Sequence, residues 1–263
     1  MIFIIFITGN GHVSFWPIVP TWRRKIHPMN QTEHISCIQC NSRLRSIFND
    51  VGSIDIEVMD SSKTCRFFKK GQTIFEEGAY PHGLYCINSG KIKVTQNGSD
   101  GREKIVHLCK NGDVMGYRAV LSGDKYSCSA TALENSSVCF IPTKVFIAMV
   151  EKDPKLAFKI INLFSSELKI AERNITDIAQ KSVKERLAQG LLLLKESYGF
   201  ESDNATLNIS MTREDIANIV GTARETVIRL LFELEREGIV SLEGKKIKIL
   251  NRDKLVGLAN TID

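Results

Sequence analysis

Arg224, Glu225 and Arg229 lie on one side of a predicted helix whose other side carries Val227, Leu230, Leu231 and Leu234. The apolar set falls at i, i+3, i+4 and i+7 and packs inward, so two guanidinium forks and a carboxylate project from the opposite face of the first turns. Base-pair edges call for such groups. Arg pairs bidentately with guanine O6 and N7, Glu accepts from cytosine N4, and an aliphatic side chain such as Ile228 can meet a thymine methyl. Just upstream, Thr212 with Asp215 three residues on forms a capping box, and Ile216, Ala217, Ile219 and Val220 give a short amphipathic helix. Gly221 breaks it, and Thr222 with Glu225 reads as a second capping box that opens the longer helix. Two short helices about a glycine turn, with this face on the second, predict a helix-turn-helix.

The cysteines are the other candidates for chemistry. There are seven (37, 40, 65, 86, 109, 128 and 139), an odd number scattered through a chain with no secretory signal, so reduced thiols in a cytoplasmic protein are expected and disulfides are not. Cys37 and Cys40 form a C-x-x-C; Cys65, Cys86, Cys109 and Cys128 read as small strand residues. The five histidines offer no H-x-H, and only His82 and His107 fall in the glycine-rich region. A cupin-type metalloenzyme needs His and carboxylate ligands closely spaced on its strands. That alternative therefore fails, and the protein is not expected to be an enzyme.

These residues need elements to hold them. Between Cys65 and Pro142 lie half of the 18 glycines, punctuating short alternating runs such as LYCINSG, KIKVTQNG, EKIVHLCKNG and SSVCFIP. Turn signals at this spacing predict an antiparallel sandwich or barrel. From Pro154 to Lys181 the period becomes helical, with Ala157, Ile161, Phe164, Leu168, Ala171, Ile175 and Ile178 spaced alternately by four and three. Such a heptad seam predicts a dimer coiled coil. A second helix is expected over Val183–Tyr198, and IVSLEGKKIKIL reads as a hairpin wing turning at Glu243 and Gly244.

A net charge of +5 allows an anionic partner without demanding one. Residues 182–263 carry 12 Lys/Arg against 13 Asp/Glu, so local placement must supply positive charge, through Arg213, Arg224, Arg229, Lys245, Lys246 and Lys248. Ile2–Ile7 is too short to cross a membrane, and residues 1–36 are expected to be a disordered or extraneous leader with Met29 as the natural start.

The order of β-roll, heptad helix and winged helix-turn-helix resembles the Crp/Fnr family of bacterial transcription regulators. FKKGQTIFEEGAYPHGLYCINSGKIKV (68–94), GDVMGYRAVLSGDKYSCSATALENSSVCFIP (112–142) and MTREDIANIVGTARETVIRLL (211–231) carry the resemblance. It implies an α+β fold: a jelly-roll-like sensor domain over 37–150, a dimerisation helix over 151–181 and a DNA-binding domain over 182–263. It also implies a cytoplasmic homodimer on double-stranded DNA that contacts RNA polymerase and reads a pseudo-palindrome with one helix per half-site. Arg224, Glu225 and Arg229 match the R-E-x-x-x-R with which relatives read a GTGA-type half-site. Thr212, Arg213 and Thr222 are then expected on phosphates.

The signal is less settled. Cyclic-nucleotide-binding members use a Glu on the ribose and an Arg on the phosphate; here those places hold Tyr117-Arg118 and Tyr126-Ser127, so cyclic AMP is not expected, and any other effector would meet Tyr117, Arg118, Tyr126 and Ser127 first. The oxygen-sensing branch holds an iron–sulfur cluster on four cysteines. Cys37, Cys40 and Cys139 match three of them, while Ser46 stands at the fourth. No cofactor is expected on this count, with a cluster as the alternative.

Overall fold

The computed structural model describes residues 35–99 and 101–259, together with the backbone of strands 3–7 and 13–17. The chain forms two compact units, residues 1–31 and 32–263. The first contains β1 (Phe3–Ile7) and β2 (Val13–Pro17), antiparallel with Phe3 opposite Pro17 and Ile7 opposite Val13. Most of the expected leader lies outside the described residues.

The second unit starts with a 3-10 turn at Arg43–Arg45 and α1 (Ser53–Ser62). There follow β3 (Thr64–Phe68), β4 (Thr73–Phe75), β5 (Gly83–Ser89), β6 (Ile92–Asn97), β7 (Glu103–Cys109) and β8 (Val114–Met115). After α2 (Tyr117–Ser122) come β9 (Ser129–Ala132) and β10 (Ser136–Pro142). These strands make two four-stranded antiparallel sheets, ordered β3-β10-β5-β8 and β4-β9-β6-β7. The fold is the expected α+β, with a β-roll whose apolar residues alternate inward and meet as Phe75, Ile87, Ile92, Val94, Met115 and Val138. Gly90, between β5 and β6, has a φ of 111° and lies so close to Ser136 that a Cβ there would overlap that side chain, which fixes this turn as glycine.

The helical half follows as α3 (Thr143–Lys152) and α4 (Pro154–Gln180). α4 is capped by Asp153, whose carboxylate accepts from Lys155 N at 2.9 Å, and Pro154 supplies the preset first turn. Along α4, Leu156 and Ile160 are buried against Phe48 and Phe146. The heptad positions stand apart: Ile161, Leu168, Ile175 and Ile178 are 53–69% exposed in the single chain, whereas Phe164 packs on the Tyr117 ring at 5.4 Å. α4 ends in a polar knot. Asp177 accepts from Gln189 at 2.6 Å and pairs with Lys181 at 3.1 Å, and Lys181 also donates to Ala259 O.

α5 (Val183–Tyr198), capped by a Ser182–Glu185 box, opens the last region, followed by α6 (Arg213–Val220), α7 (Arg224–Arg236), β11 (Val240–Glu243), β12 (Lys246–Ile249) and α8 (Arg252–Ala259). Its core gathers Leu187, Leu191, Val227, Leu231, Leu234 and Leu255, and Ile105 and Leu133 of the roll join it. Truncating one of the fully buried leucines to Ala would cost about 2–5 kcal/mol. No described helix is long and apolar enough to cross a membrane.

Candidate nucleic-acid interface and sensor site

The first helix of the pair is capped as expected. Thr212 Oγ1 accepts from Asp215 N at 3.0 Å, and Asp215 Oδ2 accepts from Thr212 N at 3.1 Å. Gly221, at φ 74°, closes α6 in the left-handed conformation, with its N–H on Ala217 O at 2.8 Å.

The second capping box does not form. Ala223 is the N-cap of α7 and no side chain caps it, because the extended residue falls one position later than Thr222. Glu225 is thereby released from a capping role. Among the described residues, the side chains of Arg224 and Glu225 make no hydrogen bond or ion pair, and both are exposed at a helix start whose first N–H groups lack side-chain acceptors. Ile228 is half-buried beside them, and Val227, Leu230, Leu231 and Leu234 are buried on the opposite face. Arg229 is occupied: its Nη1 lies 2.6 Å from Glu233 Oε1, with the arginine side chain 64% exposed.

Arg213 reaches across to the wing and donates from Nη2 to Gly244 O at 3.0 Å, while its buried Nη1 has no partner. Thr212, Arg213, Arg224, Gly244 and Lys245 line an open cavity of about 450 Å³. Thr222 is half-buried at the turn between the helices. Of the wing lysines, Lys246 pairs with Glu201 at 2.8 Å and Lys248 with Asp203 at 3.3 Å. Two of the three expected wing cations are therefore neutralised locally, and Lys245 faces the cavity.

Residues of the roll hold this module in ways the chain does not advertise. Lys93 of β6 pairs with Asp215 at 2.8 Å, and Lys104 of β7 donates to Ile219 O at 2.5 Å, so two lysines grip opposite ends of α6. A cation at the C-terminal carbonyls complements the helix dipole. Burial alone would raise the Asp215 carboxyl, but hydrogen bonds from Lys93 and Thr212 outweigh it and hold the group below the usual carboxylate range. Burial likewise disfavours charge on Lys93, and Asp215 reverses the sign and raises it.

The four expected effector residues are not brought together. Tyr117 is buried in the core shared by α3 and α4, and Tyr126 in the core of the roll. The Tyr126 ring stacks on Phe75 at 4.3 Å, its hydroxyl donates to Gly83 O at 3.1 Å, and it lies against Gly116. Arg118 and Ser127 are exposed. Burial pushes both tyrosine hydroxyls well above their usual range.

The cysteines do converge. Cys37, Cys40, Cys86 and Cys139 line one small cavity of about 30 Å³, together with Ser46 and Lys63. Cys65 and Cys139 form a disulfide, which corrects the expectation of reduced thiols throughout; the two sit directly opposite on β3 and β10, and spacing along the chain could not reveal it. Burial pushes the Cys37 thiol up to about 11, against the opposing effect of Lys63, and raises Cys86 as well.

A four-cysteine iron–sulfur site does not fit this arrangement. Cys139 is bonded to Cys65 in this structure, and Ser46, at the position of the missing cysteine, donates to Arg43 O at 2.7 Å and accepts from Phe48 N at 3.1 Å. Among the described residues no group of three or more His, Cys, Asp or Glu side chains is disposed to hold a metal ion. The cluster ligands expected at Cys37, Cys40 and Cys139 thus share a cavity without forming a metal site.

Comparison with known proteins agrees with the geometry. Residues 65–153 match the cyclic nucleotide-binding domain family and residues 185–258 the Crp-like helix-turn-helix domain. The fumarate and nitrate reduction regulatory protein of Vibrio cholerae is 37% identical over 194 residues, covering 73% of this chain and 76% of its own. The chain belongs to the Crp/Fnr family. This Crp/Fnr regulator is also 35% identical to the anaerobic regulatory protein of Pasteurella multocida, over 73% of this chain and 71% of that one. Among solved structures, FixK2 from Bradyrhizobium japonicum superposes with a TM-score of 0.68 at 26% identity, covering 76% of this chain and 99% of its own.

Sequence reasoning missed Lys93, Lys104, Cys65 and Cys86 as parts of these sites. Each gains its meaning from a partner more than 40 positions away, which no local pattern encodes.

Proposed function

We propose that this transcription regulator works as a homodimer that sets α7 of each protomer in successive major grooves of a pseudo-palindromic duplex. The observation that carries the reading is the exposed trio Arg224, Glu225 and Arg229 on a helix whose other face is buried. Arg229 and Glu225 read base edges, Ile228 meets a thymine methyl, and Thr212, Arg213 and Thr222 take phosphates around the cavity beside Lys245. The uncovered Ile161, Leu168, Ile175 and Ile178 of α4 supply the dimer seam. In this scheme residues 37–150 sense, 151–181 dimerise and 182–263 bind DNA in the cytoplasm, with RNA polymerase recruited from the bound complex.

Binding to GTGA- and TTGA-type palindromes at defined salt tests the proposal. Specific binding with two protomers per duplex is expected. Affinity that is indifferent to sequence would overturn it.

The relatives named for fumarate and nitrate reduction and for anaerobic regulation point to target genes that respond to oxygen supply. The cavity shared by Cys37, Cys40, Cys86 and Cys139 favours a thiol-based signal over a cyclic nucleotide, because Tyr117-Arg118 and Tyr126-Ser127 stand where cyclic-nucleotide-binding members carry their Glu and Arg.

A further inference from the structure

We propose that the Cys65–Cys139 disulfide is a reversible redox switch, made and broken by exchange with low-molecular-weight disulfides and thiols such as the glutathione couple. It deepens the reading of the protein as an intracellular DNA reader and rests on it.

Five of the seven cysteines meet at one place from four separate segments of the sequence. Cys65, Cys139 and Cys86 sit directly opposite one another on the adjacent strands β3, β10 and β5, so their side chains share one face of the sheet. Cys37 and Cys40 lie beside that face, and together with Cys86 and Cys139 they line the same cavity. Cys40 is only half-buried and donates to Asn88 Oδ1 at 3.4 Å, which places a thiol near the solvent side of the row. Cys109 and Cys128 belong instead with the core of the roll.

The bond is poorly explained as a permanent staple. The roll has its own apolar core, and compartments that hold DNA readers keep thiols reduced, so disulfides found there are transient and redox-sensing. Its position also suits a switch. Among the described residues β3 is an edge strand paired with β10 alone, so releasing the bond loosens a strand held on one side. β3 follows α1 directly, and α1 is tied to what lies above. Asp60 at its end accepts from Cys37 N at 2.7 Å and pairs with Lys63, while Asp55 pairs with Lys152 of α3 at 2.7 Å. From α3 the chain runs straight into α4 and on to the DNA-binding helices.

The exchange balances without a metal. One of the two thiols, as thiolate, attacks a disulfide RSSR and forms a mixed disulfide, releasing RSH once a proton is taken up; the other then displaces the second RSH. Two thiols lose two protons and two electrons to the new S–S bond, and RSSR gains them as 2 RSH. Excess RSH reverses both steps.

The test uses the full chain equilibrated across glutathione redox buffers, quenched, and assayed by thiol titration and peptide mapping. Free thiols should fall from seven to five on oxidation, with Cys65–Cys139 as the linked peptide. Hydrogen exchange in β3 and α1 should rise on reduction, and affinity for a palindromic duplex should differ by at least about fivefold between the two states. Cys65→Ala should abolish all three responses and Cys128→Ala should preserve them. Should Cys65→Ala fail to fold, comparing oxidised and reduced wild type still decides. Seven thiols under every buffer, a different linkage, or a linked pair that leaves hydrogen exchange unchanged would overturn the switch. Correct linkage and exchange in a protein that binds no duplex in either state would overturn the DNA-reading proposal alone.

Discussion

Lys93 Nζ lies 2.8 Å from Asp215 Oδ1, which joins the β-roll to the residue that caps the first helix of the helix-turn-helix. Both side chains are largely shielded, at 16% and 13% exposure, so the pair is screened less than a surface ion pair. Lys93→Met should leave the Asp215 carboxylate held by Thr212 alone and cost about 1–3 kcal/mol of unfolding free energy. Urea denaturation monitored by circular dichroism measures this, and an unchanged midpoint would refute the role given to the pair.

The same pair has a pH signature. Folding holds the Asp215 carboxyl below its ordinary value, so its contribution is complete above the unfolded value of ~3.9 and is lost as pH falls through the lower folded value. Lys93 is raised, so its contribution is complete below ~10.4 and is lost as pH rises through the higher folded value. Thermal melts should show wild type losing more stability than Lys93→Met between about pH 4 and pH 2.

In the proposed DNA-bound state Arg229 exchanges Glu233 for a base. Glu233→Gln should remove an i,i+4 pair worth about 0.3–0.5 kcal/mol and tighten specific binding by about twofold. Arg229→Ala should weaken it by about 1–3 kcal/mol per half-site and relax preference at one position. Titrations against matched and single-base-changed duplexes separate the two effects.

Salt dependence should distinguish the wing lysines. Lys245→Ala should lower the slope of log affinity against log salt by about one, because that side chain lines the cavity and has no acidic partner among the described residues. Lys246→Ala and Lys248→Ala should change it less, since Glu201 and Asp203 already neutralise them.

Leu168→Glu places a charge in the middle of the proposed seam, at a residue 61% exposed in the single chain. Sedimentation should show monomers with helical content retained, and specific DNA binding should fall with dimerisation. A variant that remains dimeric would move the interface elsewhere.

Much of this was legible in the sequence, because its determinants are local. Periodicity placed α4 and α7, the Thr212 and Asp215 spacing fixed the start of α6, and Gly221 fixed its end. The start of α7 was misread. Thr222 and Glu225 have the composition of a capping box, but the turn from Gly221 sets Ala223 at the N-cap. The effector residues are expected from resemblance to a cassette whose chemistry differs here, and the chain does not reveal that the Tyr126 ring stacks on Phe75 inside the roll. Strand register brought Cys65, Cys139 and Cys86 abreast, and lysines of β6 and β7 to α6. Such pairings depend on which strands neighbour which, and side-chain types at one position do not encode that.

The polar knot of Asp177, Lys181 and Gln189 at the end of α4 makes a stiff elbow out of what would otherwise be a joint. The 27 residues before it span ~40 Å. A tilt of ~5° at the Asp153 end would then swing the elbow by ~3.5 Å, about the 3.4 Å rise of one base step. Under the proposed DNA-reading function, such a tilt beside α3 would move α7 by about one base step relative to its half-site.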